Sequence, residues 1–267
     1  MTDPRTVIII PARYASTRYP GKPLVGLTGA TGITRSLVER SWLAARAVRG
    51  VDAIWVATDD ARIADAARGF GAEVVMTDSA CANGTERCAD AIARLGIAPD
   101  VVVNLQGDAP LTPPWFVEAL IAAMTGEIRM ATPVLRCTPE VHARFLADRR
   151  AGLVGGTTAV MNAASDALYF SKEVIPYTGR TYAEGETVPV FHHVGVYAYT
   201  PAALAAYRAR GACALETLEG LEQLRFLDAG IPVRCVEVDA RGRDFWELNN
   251  PADVARIEAA MAAEGIE

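Results

Sequence analysis

The chain has 267 residues, 51% of them hydrophobic and 22% charged, with a formal net charge of −6 at neutral pH. That is globular composition with ample length for a core, and the acidic balance argues against general nucleic-acid binding, which needs a broad basic face. No apolar run reaches the ~18 residues of a membrane span, and the first apolar stretch is too short for a signal peptide, so a cytoplasmic protein without membrane insertion is expected.

The first half alternates in a strand–helix manner. Apolar runs at 7–10, 53–57, 73–76 and 100–105 predict strands, and helical patterns fall at 33–48, 60–69, 85–95 and 114–124. Asp59-Asp60 and Asn83 stand where helix N-caps belong. This spacing predicts a Rossmann-like, mostly parallel α/β sheet flanked by helices. The second half changes character. Strands are expected at 157–162, 167–170, 193–200 and 232–238, as part of a mixed sheet, with helices at 201–208, 216–229 and 251–263. Residues 174–190, rich in Pro, Gly, Thr and Glu, read as a loop. Five cysteines without a CxxC pair and three histidines give little basis for a disulfide framework or a zinc site.

Three short blocks carry the chemistry. After the first strand, a small-residue loop holds Arg13, Arg18 and Lys22 with Ser16 between them. Cations clustered at the C-terminal end of a first strand, in an otherwise acidic chain, suit a polyphosphate, because arginine forks match phosphate oxygens and lysine adds a mobile charge. Next, Asn83-Gly84-Thr85-Glu86-Arg87 opens a helix whose N–H groups can meet phosphate or base oxygens. Asn83 with Glu86 also fits a capping box, and both readings can hold together. Third, the strand ending at Leu105 delivers Gln106-Gly107-Asp108-Ala109-Pro110. Beside a phosphate loop, Asp108 is where a Mg²⁺ ligand belongs, since magnesium takes few carboxylates and completes its shell with phosphate and water.

PARYASTRYPGKP (11–23), NGTER (83–87) and QGDAP (106–110) together resemble the 3-deoxy-manno-octulosonate (KDO) cytidylyltransferases. The resemblance continues through DALYFSKEVIPY (166–177), HHVGVYAY (192–199) and LETLEGLEQLRFLDAG (215–230), so it covers most of the chain. It implies a GT-A-like nucleotidyltransferase fold, a homodimer, and transfer of CMP from CTP to KDO with release of pyrophosphate. It implies one domain over 1–267, with a nucleotide-binding portion (1–125), an acceptor-binding and dimerisation portion (126–240), and a metal-site return with the last helix (241–267). Arg13, Ser16, Arg18 and Lys22 would hold the triphosphate, with Arg18, Lys22 and Asp108 as catalytic groups. Thr85, Arg87 and Gln106 would surround the nucleotide. His193, Tyr197, Glu222 and Gln223 would line the acceptor pocket, with Arg225 supporting that wall. Asp108 would bind Mg²⁺.

The chain departs from the family at four positions, the least telling being Ala109, where many members carry Glu. Asn249 stands where the family has its second metal-binding Asp; an amide oxygen can ligate but brings no charge, so Asn249 is expected as a weaker ligand. Thr158 stands at a family Lys, and Lys172 at a family Arg, which keeps charge but loses the fork. These changes leave open a different acidic sugar acceptor, and a non-catalytic nucleotide-binding paralogue is the second alternative. A dehydrogenase fits poorly, because no GxGxxG follows the first strand. Plainer readings also stand: Asn250 is expected to cap the last helix before Pro251, Glu216, Glu219 and Glu222 to form a solvated helix stripe, and a strand histidine such as His193 to be structural by default.

Overall fold

The computed structural model describes residues 5–15, 19–154, 156–243, 246–248 and 250–266. Ser16, Arg18 and Asn249 lie outside the described residues. The chain divides into two compact units, 1–121 with 240–267, and 122–239.

In the first unit, β1 (Thr6–Pro11) is followed by a short 3-10 helix (Lys22–Leu24) and a two-stranded hairpin, β2 (Gly26–Thr28) with β3 (Thr34–Ser36). Then come α1 (Leu37–Arg46), β4 (Ala53–Thr58), α2 (Ala61–Gly69), β5 (Glu73–Met76), α3 (Gly84–Leu95), β6 (Val101–Leu105) and α4 (Pro114–Ala123). Four strands form a parallel sheet in the order β5-β4-β1-β6, with Ile8 opposite both Ile54 and Val103. Val7 to Ile10 are β-branched and fully buried, as a central parallel strand covered on both faces requires. Because the strands run the same way, the loops after β1, β4, β5 and β6 all leave from one sheet edge. Those loops contain 12–21, 59–60, 77–83 and 106–110.

The second unit holds β7 (Met130–Arg136), α5 (Pro139–Arg150), β8 (Thr158–Met161), β9 (Ala167–Ser171), β10 (Phe191–His193), β11 (Val196–Tyr199), α6 (Pro201–Arg210), α7 (Ala214–Glu219), α8 (Leu224–Asp228) and β12 (Arg234–Glu237). Its strands run β11-β7-β10-β8-β9; those pairings are antiparallel, while β12 joins β7 in parallel, so this portion is mixed. The chain then returns to the first unit, where α9 (Asp253–Glu264) follows.

Four expectations need correction. The segment 33–48 is not one helix: Thr34–Ser36 pairs with Gly26–Thr28, and Ser36 then caps α1 by accepting from the Glu39 N–H. The strand expected over 193–200 is two strands separated at Val194-Gly195. The helix expected over 216–229 is two, because Gly220 adopts φ of +63° and ends α7. Asn250 is not the cap of α9, which begins after Ala252; instead the Asp253 carboxylate accepts from the Asn250 N–H at 2.6 Å. The strand β7 and helix α5 carry no sequence expectation at all.

Gly107 shows how tightly the β1 and β6 ends converge. A Cβ there would lie 2.7 Å from the Pro11 carbonyl oxygen, which is backbone and cannot swing aside. The Gly107 carbonyl itself accepts from the Ser41 hydroxyl at 3.1 Å. Gly107→Ala is expected to cost about 1–3 kcal/mol through this overlap. Urea denaturation of the variant checks it, with Gly50→Ala, where a Cβ meets nothing but φ is +77°, as the control for backbone strain alone.

Candidate functional site

In the first unit, the loop after β1 and the loop after β6 meet through one ion pair. The Lys22 ammonium donates to Asp108 Oδ2 at 2.6 Å, with both side chains largely covered. Gly21, with φ of +71°, turns the chain so that Lys22 can open the 3-10 helix. Asp108 is held from behind. Its carbonyl accepts from the Leu248 N–H at 2.9 Å, and Leu248 is buried in a cluster with Leu111, Ile257 and Met261. The return segment is thus pinned to Asp108 by packing and by one backbone bond.

Asn83 caps α3, its side chain accepting from the Glu86 N–H at 2.9 Å, while the Glu86 carboxylate accepts from the Ala82 N–H at 2.8 Å. The helix start lies against the end of β6: a Cβ on Gly84 would stand 3.0 Å from the Gln106 amide and 3.1 Å from that of Asn104. Thr85 is fully buried in the first turn. Arg87 is buried as well. Its guanidinium donates to the Thr77 hydroxyl and pairs with Asp59 at 3.1 Å, tying the ends of β4 and β5 to α3. Arg87 thus fastens the frame beneath the loops after β4 and β5, a structural duty the sequence did not reveal. Arg13 is exposed, its guanidinium 3.5 Å from the Ala82 carbonyl oxygen.

Sequence reasoning missed one group here. Arg62, on the first turn of α2, holds its Cζ 3.4 Å from the centre of the Tyr14 ring and grips Asp60 through two nitrogens, at 2.9 and 2.6 Å. The Arg62 guanidinium holds the Asp60 carboxyl below its ordinary pKa. The only signal was an Asp-x-Arg spacing after a strand, which reads as plain capping.

In the second unit, three acceptor candidates form one chain of contacts. His193 is buried, with Phe170 edge-on at 5.0 Å and Tyr197 at 5.6 Å. Its Nε2 lies 3.0 Å from the Thr132 hydroxyl, which donates in turn to backbone oxygens of Val194 and Val196. Burial pushes the imidazole down to about 3, so it is neutral at physiological pH. The Tyr197 hydroxyl donates to Gln223 Oε1 at 3.2 Å. Gln223 is also buried, and its Nε2 has no hydrogen-bond partner among the described residues. Glu222 is half-buried beside it.

The expected solvated stripe is a buried network. Glu216 accepts two bonds from the Arg225 guanidinium, at 2.6 and 2.7 Å, and a third from the Tyr207 hydroxyl at 3.2 Å. Arg225 is almost fully covered and lies 3.9 Å over the Tyr207 ring. Glu219 accepts from the Ser171 hydroxyl and the Lys172 N–H, stitching α7 to the end of β9. Arg225 is thus spent on Glu216, tying α8 to α7. Thr158 is buried and spent on backbone: its hydroxyl donates to the Glu173 carbonyl at 2.6 Å and accepts from the Ile175 N–H.

Residues 7–235 match the family model described as cytidylyltransferase. The chain is 46% identical over 259 residues to the 3-deoxy-manno-octulosonate cytidylyltransferase of Maricaulis maris, covering 96% of this chain and 97% of that one. It is 41% identical over 261 residues to the 8-amino-3,8-dideoxy-manno-octulosonate cytidylyltransferase of Shewanella piezotolerans, covering 96% and 98%. Among solved structures, CMP:2-keto-3-deoxy-manno-octonic acid synthetase complexed with CTP matches with a TM-score of 0.81 and 33% identity, over 97% of this chain and 99% of that one.

Two outcomes follow from the second unit. Glu216→Ala leaves the Arg225 charge buried and unpaired, and is expected to cost about 3–5 kcal/mol in urea denaturation, whereas Tyr207→Phe costs about 1 kcal/mol. For His193 the unfolded chain takes up the proton first, at its ordinary value near 6.5, so its contribution is complete above pH 6.5 and declines as pH falls toward 3. Between pH 6 and pH 4.5 the stability of His193→Asn should therefore fall less steeply than wild type, by up to about 1.4 kcal/mol per pH unit.

Proposed function

We propose that this chain, which belongs to the cytidylyltransferase family, transfers CMP from CTP to the anomeric hydroxyl of a 2-keto-3-deoxy sugar acid, KDO first among the candidates, releasing pyrophosphate. The observation that carries the reading is the Lys22–Asp108 contact: a phosphate-seeking cation and a metal-seeking carboxylate are delivered to one point by two neighbouring parallel strands. The acceptor hydroxyl oxygen bonds to the α-phosphorus, the bond to the α–β bridging oxygen breaks, and the hydroxyl proton passes to solvent. Such a displacement demands positioning and charge neutralisation more than covalent catalysis. Lys22, with Arg13, Ser16 and Arg18 from the same loop, binds the triphosphate and offsets charge on the leaving pyrophosphate. Thr85 and Gln106, at the helix start braced by Arg87, orient the nucleotide.

The family generally uses a divalent metal, and the residues present fit magnesium. Asp108 is a hard oxygen donor at a strand end, its carboxylate held by the Lys22 ammonium. A lone carboxylate beside a polyphosphate is what magnesium takes, and Asp108 with Asn249 would hold it. When bound, the ion supplies neutralising positive charge to the triphosphate. The acceptor side is read from Gln223, whose buried Nε2 offers a donor to the sugar acid, with Tyr197 fixing the amide, His193 as a neutral polar wall and Glu222 at the rim. Lys172, beside Gly220 in the same turn, brings the positive charge a carboxylate needs.

A second copy of the chain completes the assembly on this reading. Leu168 on β9 and Leu218 on α7 are 61% and 82% exposed on neighbouring elements, joined by the Ser171–Glu219 bond, and two such apolar side chains suit a homodimer contact. Among the described residues, no helix is long and apolar enough to cross a membrane. A cytoplasmic place fits the CTP requirement.

Pyrophosphate release with CTP over a panel of KDO, its 8-amino analogue and other sugar acids tests the reading. Turnover with KDO is expected. Turnover with another acid alone changes the acceptor, and CTP binding without release for any acceptor favours the non-catalytic alternative. Asp108→Ala is expected to lower turnover at least a thousandfold with an unchanged circular dichroism spectrum, and chelation of divalent metal to do the same.

A further inference from the structure

We propose that Arg62 is a positioning residue for the triphosphate loop, acting through Tyr14. The inference rests on the nucleotide reading above and deepens it. Arg62 belongs to α2, which the resemblance leaves without a role. Its guanidinium is fixed in direction by the two-point grip on Asp60. Asp60 is itself fixed, because its side chain caps α2 by accepting from the Arg62 N–H at 2.9 Å. The cation therefore projects from a rigid helix start, and 3.4 Å beyond it lies the Tyr14 ring.

The ring transmits that placement. A Cβ on Gly21 would stand 3.1 Å from Tyr14 Cζ, so the ring lies directly on Gly21. The Tyr14 carbonyl accepts from the Gly21 N–H at 2.9 Å, closing the loop at its base. Gly21 is the left-handed residue that aims Lys22 at Asp108. The path thus runs from Asp60 to Arg62, to the face of Tyr14, to Gly21 and to Lys22. An aromatic face holds a guanidinium by its quadrupole, so the contact keeps the ring close to a cation whose own position is set by Asp60. The brace reaches the described ends of the loop, Tyr14 and Gly21, from a separate helix.

The brace and its consequence are read separately. Hydrogen–deuterium exchange of the nucleotide-free chain reads the brace: in Arg62→Ala the Gly21 amide should exchange about tenfold faster, while α3 and β6 amides are unchanged. CTP titration reads the consequence. Arg62→Ala and Tyr14→Leu should each bind CTP about tenfold more weakly, and the double variant no more weakly than Tyr14→Leu. Arg62→Lys, which keeps a cation over the ring without the fork on Asp60, should recover part of the loss. In steady state the effect should fall on KM for CTP and leave KM for the sugar acid alone, a split that general loosening of the fold would not give. Unchanged CTP binding in Arg62→Ala against a binding wild type overturns the proposal, as do additive losses in the double variant. A wild-type chain that binds no CTP overturns both this proposal and the function it rests on.

Discussion

The Lys22–Asp108 ion pair is the constraint around which the first unit is arranged. Each partner alone would be a costly feature, a charge drawn into a largely covered place at a strand end. Together they neutralise one another, and each also has its own support. Gly21 turns Lys22 inward, and Gly107 lets the β6 end approach the Pro11 carbonyl closely enough for Asp108 to be reached. The Leu248 N–H then secures the Asp108 backbone. On the reading proposed, the ligands replace this pair symmetrically: the triphosphate offers an anion to the lysine while its metal offers a cation to the aspartate. Neither side chain is left uncompensated in the exchange, which is how a covered ion pair can also serve as a binding site.

The framework was legible because its signals are local. Val7–Ile10 and Val101–Val103 are β-branched runs with nothing polar to compete, so they read as buried strands and are. Asp60 and Asn83 are caps whose chemistry is complete within three residues. Misreadings arose where a long-range partner decided the outcome. Thr34–Ser36 looks like a helix start, and becomes a strand because Gly26–Thr28 is there to pair with it. Strand β7 was invisible for the same reason: its pairing with β10, β11 and β12 is entirely non-local. At the site, the motif blocks named Lys22 and Asp108 correctly as neighbours, but pattern could not show that Arg87 spends its charge on Asp59 and Thr77.

Glu216 is the most instructive misreading. Three glutamates at helical spacing look solvated, yet Glu216 is buried under a two-point grip from Arg225, which itself lies over Tyr207. Spacing gives the face of a helix and not what covers it; here the covering element is the next helix, reached through the short turn that Gly220 opens. A buried pair of this kind gains little net stability over an apolar substitute, because desolvation offsets the attraction. What it does give is direction. Glu216 ties α7 to α8 at Arg225, two residues beyond Gln223, so the turn that presents Gln223 and Glu222 is held at both ends.

That rigidity bears on acceptor choice. The second-unit set of His193, Tyr197 and Gln223 is uncharged at physiological pH, and the hydroxyl of Thr158 is consumed by the Glu173 and Ile175 backbone. Positive charge for an acid therefore falls to Lys172, whose ammonium lies against Gly220 at the start of the same turn. A lysine meets a carboxylate as a point charge and does not impose the paired geometry of an arginine fork. On the acceptor reading proposed, discrimination among sugar acids would rest on the neutral donors and acceptors around Gln223, where a missing hydroxyl would strand a buried amide, and less on the carboxylate that all such acceptors share. The two acceptors in the names of the relatives differ at the 8-position and not in the acid, so on the same reading a wall of neutral groups, and not Lys172, would tell them apart.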